Sequence, residues 1–268
     1  MYYIDTHAHI YPDAIALRAA ASIGDFYQIP MNRDGTLGDL LARGAQAGIA
    51  RHLVHSVAVT PGRVRGVNDY LMRVAAEHGD RLIGFGTLHP DYPDVRGELK
   101  RMRDGGLRGV KLHPDFQHFC LDDDKAIAMF RAMADMGMPA LVHTGDKRYP
   151  YSEPARMARA LDAVPELRAI CAHLGGWSVW EDAWKQLADK PRVWVDTSSS
   201  LYALSPEKAA EFIRRYGAER VFYGTDYPMW DPVEEVARLE ALPLTDAERE
   251  SVAHGSFERF CETELHMG

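Results

Sequence analysis

Cysteine is scarce in this chain: three in 268 residues, Cys120, Cys171 and Cys261, far apart and in no CxxC pair. That excludes a disulfide framework and a thiolate zinc site as the organising device. No run of Lys and Arg stands out, and the formal net charge is −8. Such a balance argues against nucleic acid and against an anionic membrane as partner, while leaving room for a local basic pocket. No uninterrupted apolar stretch is long enough to span a bilayer, and no basic segment leads into an apolar one at the start. A reducing, cytoplasmic setting is therefore the expectation. Internal repeats and low-complexity linkers are missing too, as is a glycine-rich dinucleotide fingerprint after the first apolar run.

What is present is ordinary soluble composition, 46% hydrophobic and 26% charged, in a length that suits one large domain over residues 1–268. Short β-rich runs recur from end to end: "YYID", "RHLVHSVAV", "RLIGFGTL", "LRGVKLH", "PALVHTG", "LRAICAHLGG", "RVWVDTS" and "RVFYGTD". They read as buried parallel strands that end in Gly, Thr, Ser or Asp. Between them lie amphipathic stretches with apolar residues at three- and four-residue intervals, such as "TLGDLLARGAQAG" and "SPEKAAEFIRRYG". About eight strand–helix units in one chain predict an α/β fold, a (β/α)₈ TIM barrel, with a doubly wound sheet as the rival. The stretch from Tyr11 to Gly35 reads as too irregular for a helix, hence a long loop or partial lid after the first strand. "DPVEEVARLEAL" and "TDAERESVAHGSFERFCE" add two further C-terminal helices.

A barrel of this kind places its chemistry at the carboxyl ends of the strands. Those ends carry His7 and His9, then Lys111 and His113, His143, His173, Asp196 and Asp226. His7 and His9, two apart on one strand, share a face. These are the residue types that bind a divalent ion and activate its water. Each alone also fits a plainer role, a His bonding a carbonyl or an Asp capping the next helix. His113 could equally be a structural residue before Pro114. His52, His55, His78, His89, His118, His254 and His266 carry no functional assignment, and Met129, Met133, Met136 and Met138 read as a core-facing helix and its turn.

In "IDTHAHIYP", "GVKLHP", "LVHTG", "AHLGG", "VDTSS" and "YGTDYP", in that order, the sequence resembles the amidohydrolase superfamily, in the branch related to aminocarboxymuconate semialdehyde decarboxylase. The resemblance implies a (β/α)₈ barrel around one or two metal ions, most often zinc. Carried over position by position, it makes His7, His9, His143 and Asp226 metal ligands, with Asp226 also handling the proton of the bound water. It makes His173 a catalytic acid/base, or in two-metal relatives a ligand of the second ion. Lys111 stands near the place of a lysine that some relatives carboxylate to bridge two metals, and is read here as an unmodified cation near the substrate. Ser256 stands where the family usually has Asn before its final helix.

Three imidazoles and one carboxylate would leave an open position on the ion for water or substrate. The first expectation is therefore hydrolysis of an amide, lactone or ester of a small organic acid by a metal-activated water. The alternative is a metal-dependent, non-oxidative decarboxylase of an unsaturated or aromatic acid. In that case Arg148, Lys147 or Lys111 would grip the carboxylate, and Trp177, Tyr227 and Trp230 would wall an aromatic pocket. Zinc is the expected ion, one per chain rather than two, although N/O ligands also accept Mn, Fe or Co. The expected partner is a small carboxylate, and a homodimer would suit the branch.

Overall fold

The computed structural model describes residues 1–267. Eight strands run β1 (Tyr3–His9), β2 (Ile49–His55), β3 (Leu82–Thr87), β4 (Gly109–Leu112), β5 (Ala140–Val142), β6 (Ala169–Cys171), β7 (Val193–Asp196) and β8 (Val221–Phe222). They form one sheet in sequential order, every neighbouring pair parallel. β1 and β8 meet to close it: Thr6 N donates to Tyr223 O (2.9 Å), His9 N to Tyr227 O (2.7 Å) and Asp226 N to His7 O (2.8 Å). The result is a (β/α)₈ barrel. Runs such as "ALV" and "AIC" are buried throughout, as strands covered on both faces must be.

The helices are α1 (Asp13–Tyr27), α2 (Leu37–Gln46), α3 (Val64–Glu77), α4 (Val95–Asp104), α5 (Pro114–Gln117), α6 (Asp124–Asp135) and α7 (Pro154–Ala163). They continue with α8 (Trp180–Leu187), α9 (Pro206–Tyr216), α10 (Pro232–Glu240), α11 (Asp246–Glu250) and α12 (Ser256–Thr263). Their starts follow capping chemistry, with Thr36, Asp94, Ser205 and Asp231 each accepting from a backbone N–H of the first turn. None is long and apolar enough to cross a membrane.

One expectation needs correcting. The segment after β1 is not irregular: its residues 13–27 form α1. Its inward face begins with Ala16 and Ala20 and continues at helical spacing to Ile23 and Tyr27. Alanine is the best helix former but gives little hydrophobic contrast, so the pattern looks flat in sequence. The connection is nonetheless long, and it does lie over the barrel mouth.

Two apolar layers hold the barrel. The larger packs strands against the surrounding helices. The smaller fills the interior with Ile4, Leu53, Ile83, Phe85, Leu141, Ile170 and Phe222, and Phe257 and Phe260 of α12 plug it. Phe222 meets those two rings at 5.2 and 5.4 Å. With the amino end of the barrel sealed, the polar strand ends open only at the other.

Candidate metal centre

At the carboxyl ends of the strands, His7, His9, Lys111, His113, His143, His173 and Asp226 line one pocket, with Ile23, Tyr27, Met31 and Phe116 among the residues that roof it. Of the strand-end residues singled out in the sequence, Asp196 is outside this lining and stands behind His7. Asp226 is central to it. Its Oδ1 lies 3.4 Å from His7 Nε2 and 3.5 Å from His9 Nε2. Its Oδ2 accepts from the Ser199 hydroxyl, which in turn accepts from Trp230 Nε1 at 2.8 Å. The Asp226 backbone is left-handed (φ 57°), a costly conformation for a non-glycine residue that places the carboxylate over the β1–β8 seam.

The tautomers follow from the partners. His7 Nδ1 lies 2.9 Å from Asp196 Oδ2 and 3.0 Å from Ser198 Oγ. A carboxylate only accepts, so the His7 proton sits on Nδ1 and the Nε2 lone pair points into the pocket. There Nε2 also meets Lys111 Nζ at 2.9 Å. His173 Nδ1 donates to Ser198 O (3.0 Å), leaving its Nε2 as an acceptor 3.0 Å from His143 Nδ1. Asp196 serves two strands at once, because its Oδ1 also accepts the backbone N–H of His173 at 3.0 Å.

The loops behind His143 and His173 are locked back to back. Trp177 N donates to Thr144 O at 2.8 Å. Gly145 has φ +77°, and a Cβ there would sit 2.7 Å from the Gly176 backbone, so only glycine fits.

Burial decides the charge states. Desolvation, with Lys111 and the other imidazoles adding to it, holds His7 and His143 well below the usual histidine range and His9 down at about 3. These rings are neutral near pH 7 and keep their lone pairs. Burial also pushes Lys111 down, to about 8, against the pull of Asp226 and Asp196.

The donor set fits a divalent cation. The Asp226 distances to His7 and His9, 3.4 and 3.5 Å, are of the order expected between neighbouring ligands of one divalent ion, about 3.4 Å for zinc. Neutral imidazoles with one carboxylate are the N/O chemistry such ions accept. His7, His9 and His55 each bring a ring nitrogen within 4.8 Å of the others, and both His55 nitrogens are buried without a hydrogen-bond partner.

A family model described as amidohydrolase matches residues 4–259. The chain belongs to the amidohydrolase family. No curated protein matches it. Among solved structures, this amidohydrolase is similar to an uncharacterised TIM-barrel protein from Bordetella bronchiseptica, at 20% identity and TM-score 0.81 over 98% of this chain and 99% of that one. It is also similar to 5-carboxyvanillate decarboxylase from Sphingomonas paucimobilis, at 17% identity and TM-score 0.74 over 100% and 99%. A third is dihydroxybenzoic acid decarboxylase from Polaromonas sp., solved with manganese and 2-nitroresorcinol, at 14% identity and TM-score 0.75 over 97% of each chain.

Arg148 is the sequence-derived residue that this amidohydrolase holds apart from the pocket. Its Nη2 pairs with Asp146 (2.7 Å), its Nη1 donates to Phe26 O (2.8 Å), and its guanidinium lies against the rings of Phe26, Tyr27, Tyr149 and Trp177. It props the end of α1 over the mouth. Tyr227 likewise turns away, its hydroxyl bonded to Asp34 and Asp39 (3.1 and 2.9 Å), and Trp230 stacks on Tyr202.

Sequence reasoning missed three residues. Tyr27, concealed in α1, bonds His113 Nε2 through its hydroxyl at 2.8 Å. His55, at the end of β2, is fully buried edge-on against His7 and His9 with both ring nitrogens unpartnered; the strand-end rule that singled out its neighbours would have found it. Asp115 lies 3.6 Å from His143 Nε2 and accepts from Ser152 Oγ at 2.6 Å. Burial raises its carboxyl to about 7.

Proposed function

We propose that this amidohydrolase is a divalent-metal-dependent, non-oxidative decarboxylase of a small unsaturated or aromatic carboxylic acid. The observation that carries the reading is the pocket itself: buried neutral imidazoles, one inward carboxylate oxygen and one buried ammonium under an apolar roof. The likeness to the two decarboxylases supports it, where the sequence reading put hydrolysis first. His7, His9, His143 and Asp226 would hold the ion, with manganese the first choice given the Polaromonas relative. When bound, such an ion supplies positive charge that fixes and polarises the substrate's oxygens.

The chain's own residues do the rest. Loss of carbon dioxide requires one proton at the carbon that gives it up. Asp226 Oδ1 is the inward carboxylate atom, and it is assigned to take up one proton from solvent before the pocket is filled and to deliver it to that carbon. The carbon–hydrogen bond forms, the carbon–carbon bond breaks, and its electron pair returns to the unsaturated framework. Lys111 holds positive charge on the pocket floor beside His7 and favours the carboxylate in the bound acid. His173, fixed by Ser198 O and by Asp196, orients the substrate from the β6 side. The roof of Ile23, Tyr27, Met31 and Phe116 excludes water, which strengthens each of these charge interactions. The setting proposed for this reaction is the cytoplasm.

The test is product analysis on the manganese-loaded enzyme, with hydroxybenzoic acids in one set and lactones and amides in another. Release of carbon dioxide with the decarboxylated arene is the expected result. Hydrolysed product without carbon dioxide would return the assignment to a hydrolase. A second expectation concerns Asp196, which fixes the His7 tautomer from behind. Asp196→Ala should weaken manganese binding about 10- to 100-fold, as loss of such an outer partner does, measured by titration calorimetry.

A further inference from the structure

The pocket over the candidate ligands has too little room for a whole organic acid. Its free volume is about 20 Å³, enough for one water. A second cavity of about 300 Å³ opens beside it, between α1 and the segment after β2. The two share three walls, His9, Ile23 and Phe116. A cavity of roughly 150 Å³ with apolar walls already takes benzene.

The chemistry of this annex is one-sided. Besides the shared residues it is lined by Ala19, Phe26, Val57 and Val59, with the Tyr11 ring and Ser22. No Asp, Glu, Lys or Arg is part of the lining. Ser22 Oγ is already bonded to Arg18 O at 3.0 Å. Val59 is 51% exposed and forms the outer rim. Nothing in these walls would repay the desolvation of a charged or strongly polar substituent.

We infer that this annex is the subsite for the uncharged, apolar body of the substrate, whose carboxylate end reaches past His9 to the candidate ion. The specificity it implies is for acids that carry an alkyl or aryl group of about ring size, with no second charge at the far end. The inference rests on the proposed metal-site reading for the carboxylate end alone; the apolar walls stand independently of it.

The experiment uses n-alkanoates on the manganese-loaded full chain, from acetate through butyrate to hexanoate, followed by titration calorimetry. Burial of each methylene predicts roughly fourfold tighter binding per carbon. Val59→Trp and Ala19→Phe, which fill the annex from its rim and from α1, should each flatten that series. Manganese titration of the same variants reports on the metal pocket separately. A flat series in the unsubstituted protein overturns the inference, as do chain-length increments that survive both substitutions. Chain-length increments without manganese binding would uphold the annex and defeat the metal-site reading instead.

Discussion

Asp226→Ala should lower kcat/KM by about a thousandfold or more, because proton transfer by a positioned side chain is typically worth 10²–10⁴ and this residue is also an assigned ligand. The geometry makes the effect specific. Oδ2 is occupied by Ser199, itself held by Trp230, so only Oδ1 faces the pocket. Asp226→Asn separates the two roles. The amide can still take the Ser199 hydrogen bond and keep the side chain in place, but it has no carboxyl proton to give. Expected, then, is an Asn variant that folds, retains more manganese than the Ala variant, and still fails to turn over. Substantial decarboxylation by either variant would remove Asp226 from proton delivery.

Exhaustive chelation should abolish turnover, and manganese should restore it. The loss is expected to be total within detection, since the cation that remains in the lining, Lys111, carries a single charge and has no open coordination positions with which to fix the substrate's oxygens. Stability should follow. An ion that binds only the folded chain adds about 2.7 kcal/mol at a hundred times its dissociation constant. For a domain of this size that is a rise in Tm of several degrees, read by a thermal melt with and without manganese. The buried imidazoles sharpen the contrast, because they stay neutral and are crowded together with unpartnered nitrogens at His9, His55 and His143. Turnover that persists after demonstrated removal of all metal would refute the metal dependence.

The barrel was legible because its strands are buried on both faces and therefore read as short apolar runs, each stopped by a polar strand end. The same stops supply the polar lining of the pocket, where His7, His9, Lys111, His143, His173 and Asp226 meet. What could not be read was whatever depended on loop geometry. α1 was hidden by its alanines, and with it Tyr27, whose contact with His113 spans 86 positions. Arg148 sits one short loop from His143, yet the neighbouring Asp146 and four aromatic rings draw it aside. Asp115 follows a Pro, where a turn residue is the ordinary reading. The choice between hydrolysis and decarboxylation was not legible for a different reason, since strand ends specify donors and not the shape of the space above them.

The junction where β1 meets β8 joins the first residues of the chain to some of its last: Asp226 N reaches back to His7 O, and His9 N reaches forward to Tyr227 O. During synthesis the β1 histidines must therefore wait, without their acidic companion, until the chain has been extended as far as residue 226. Any product cut short before Asp226 lacks the β1–β8 junction and one of the proposed ligands, so premature termination is expected to yield inert material rather than a weakened enzyme.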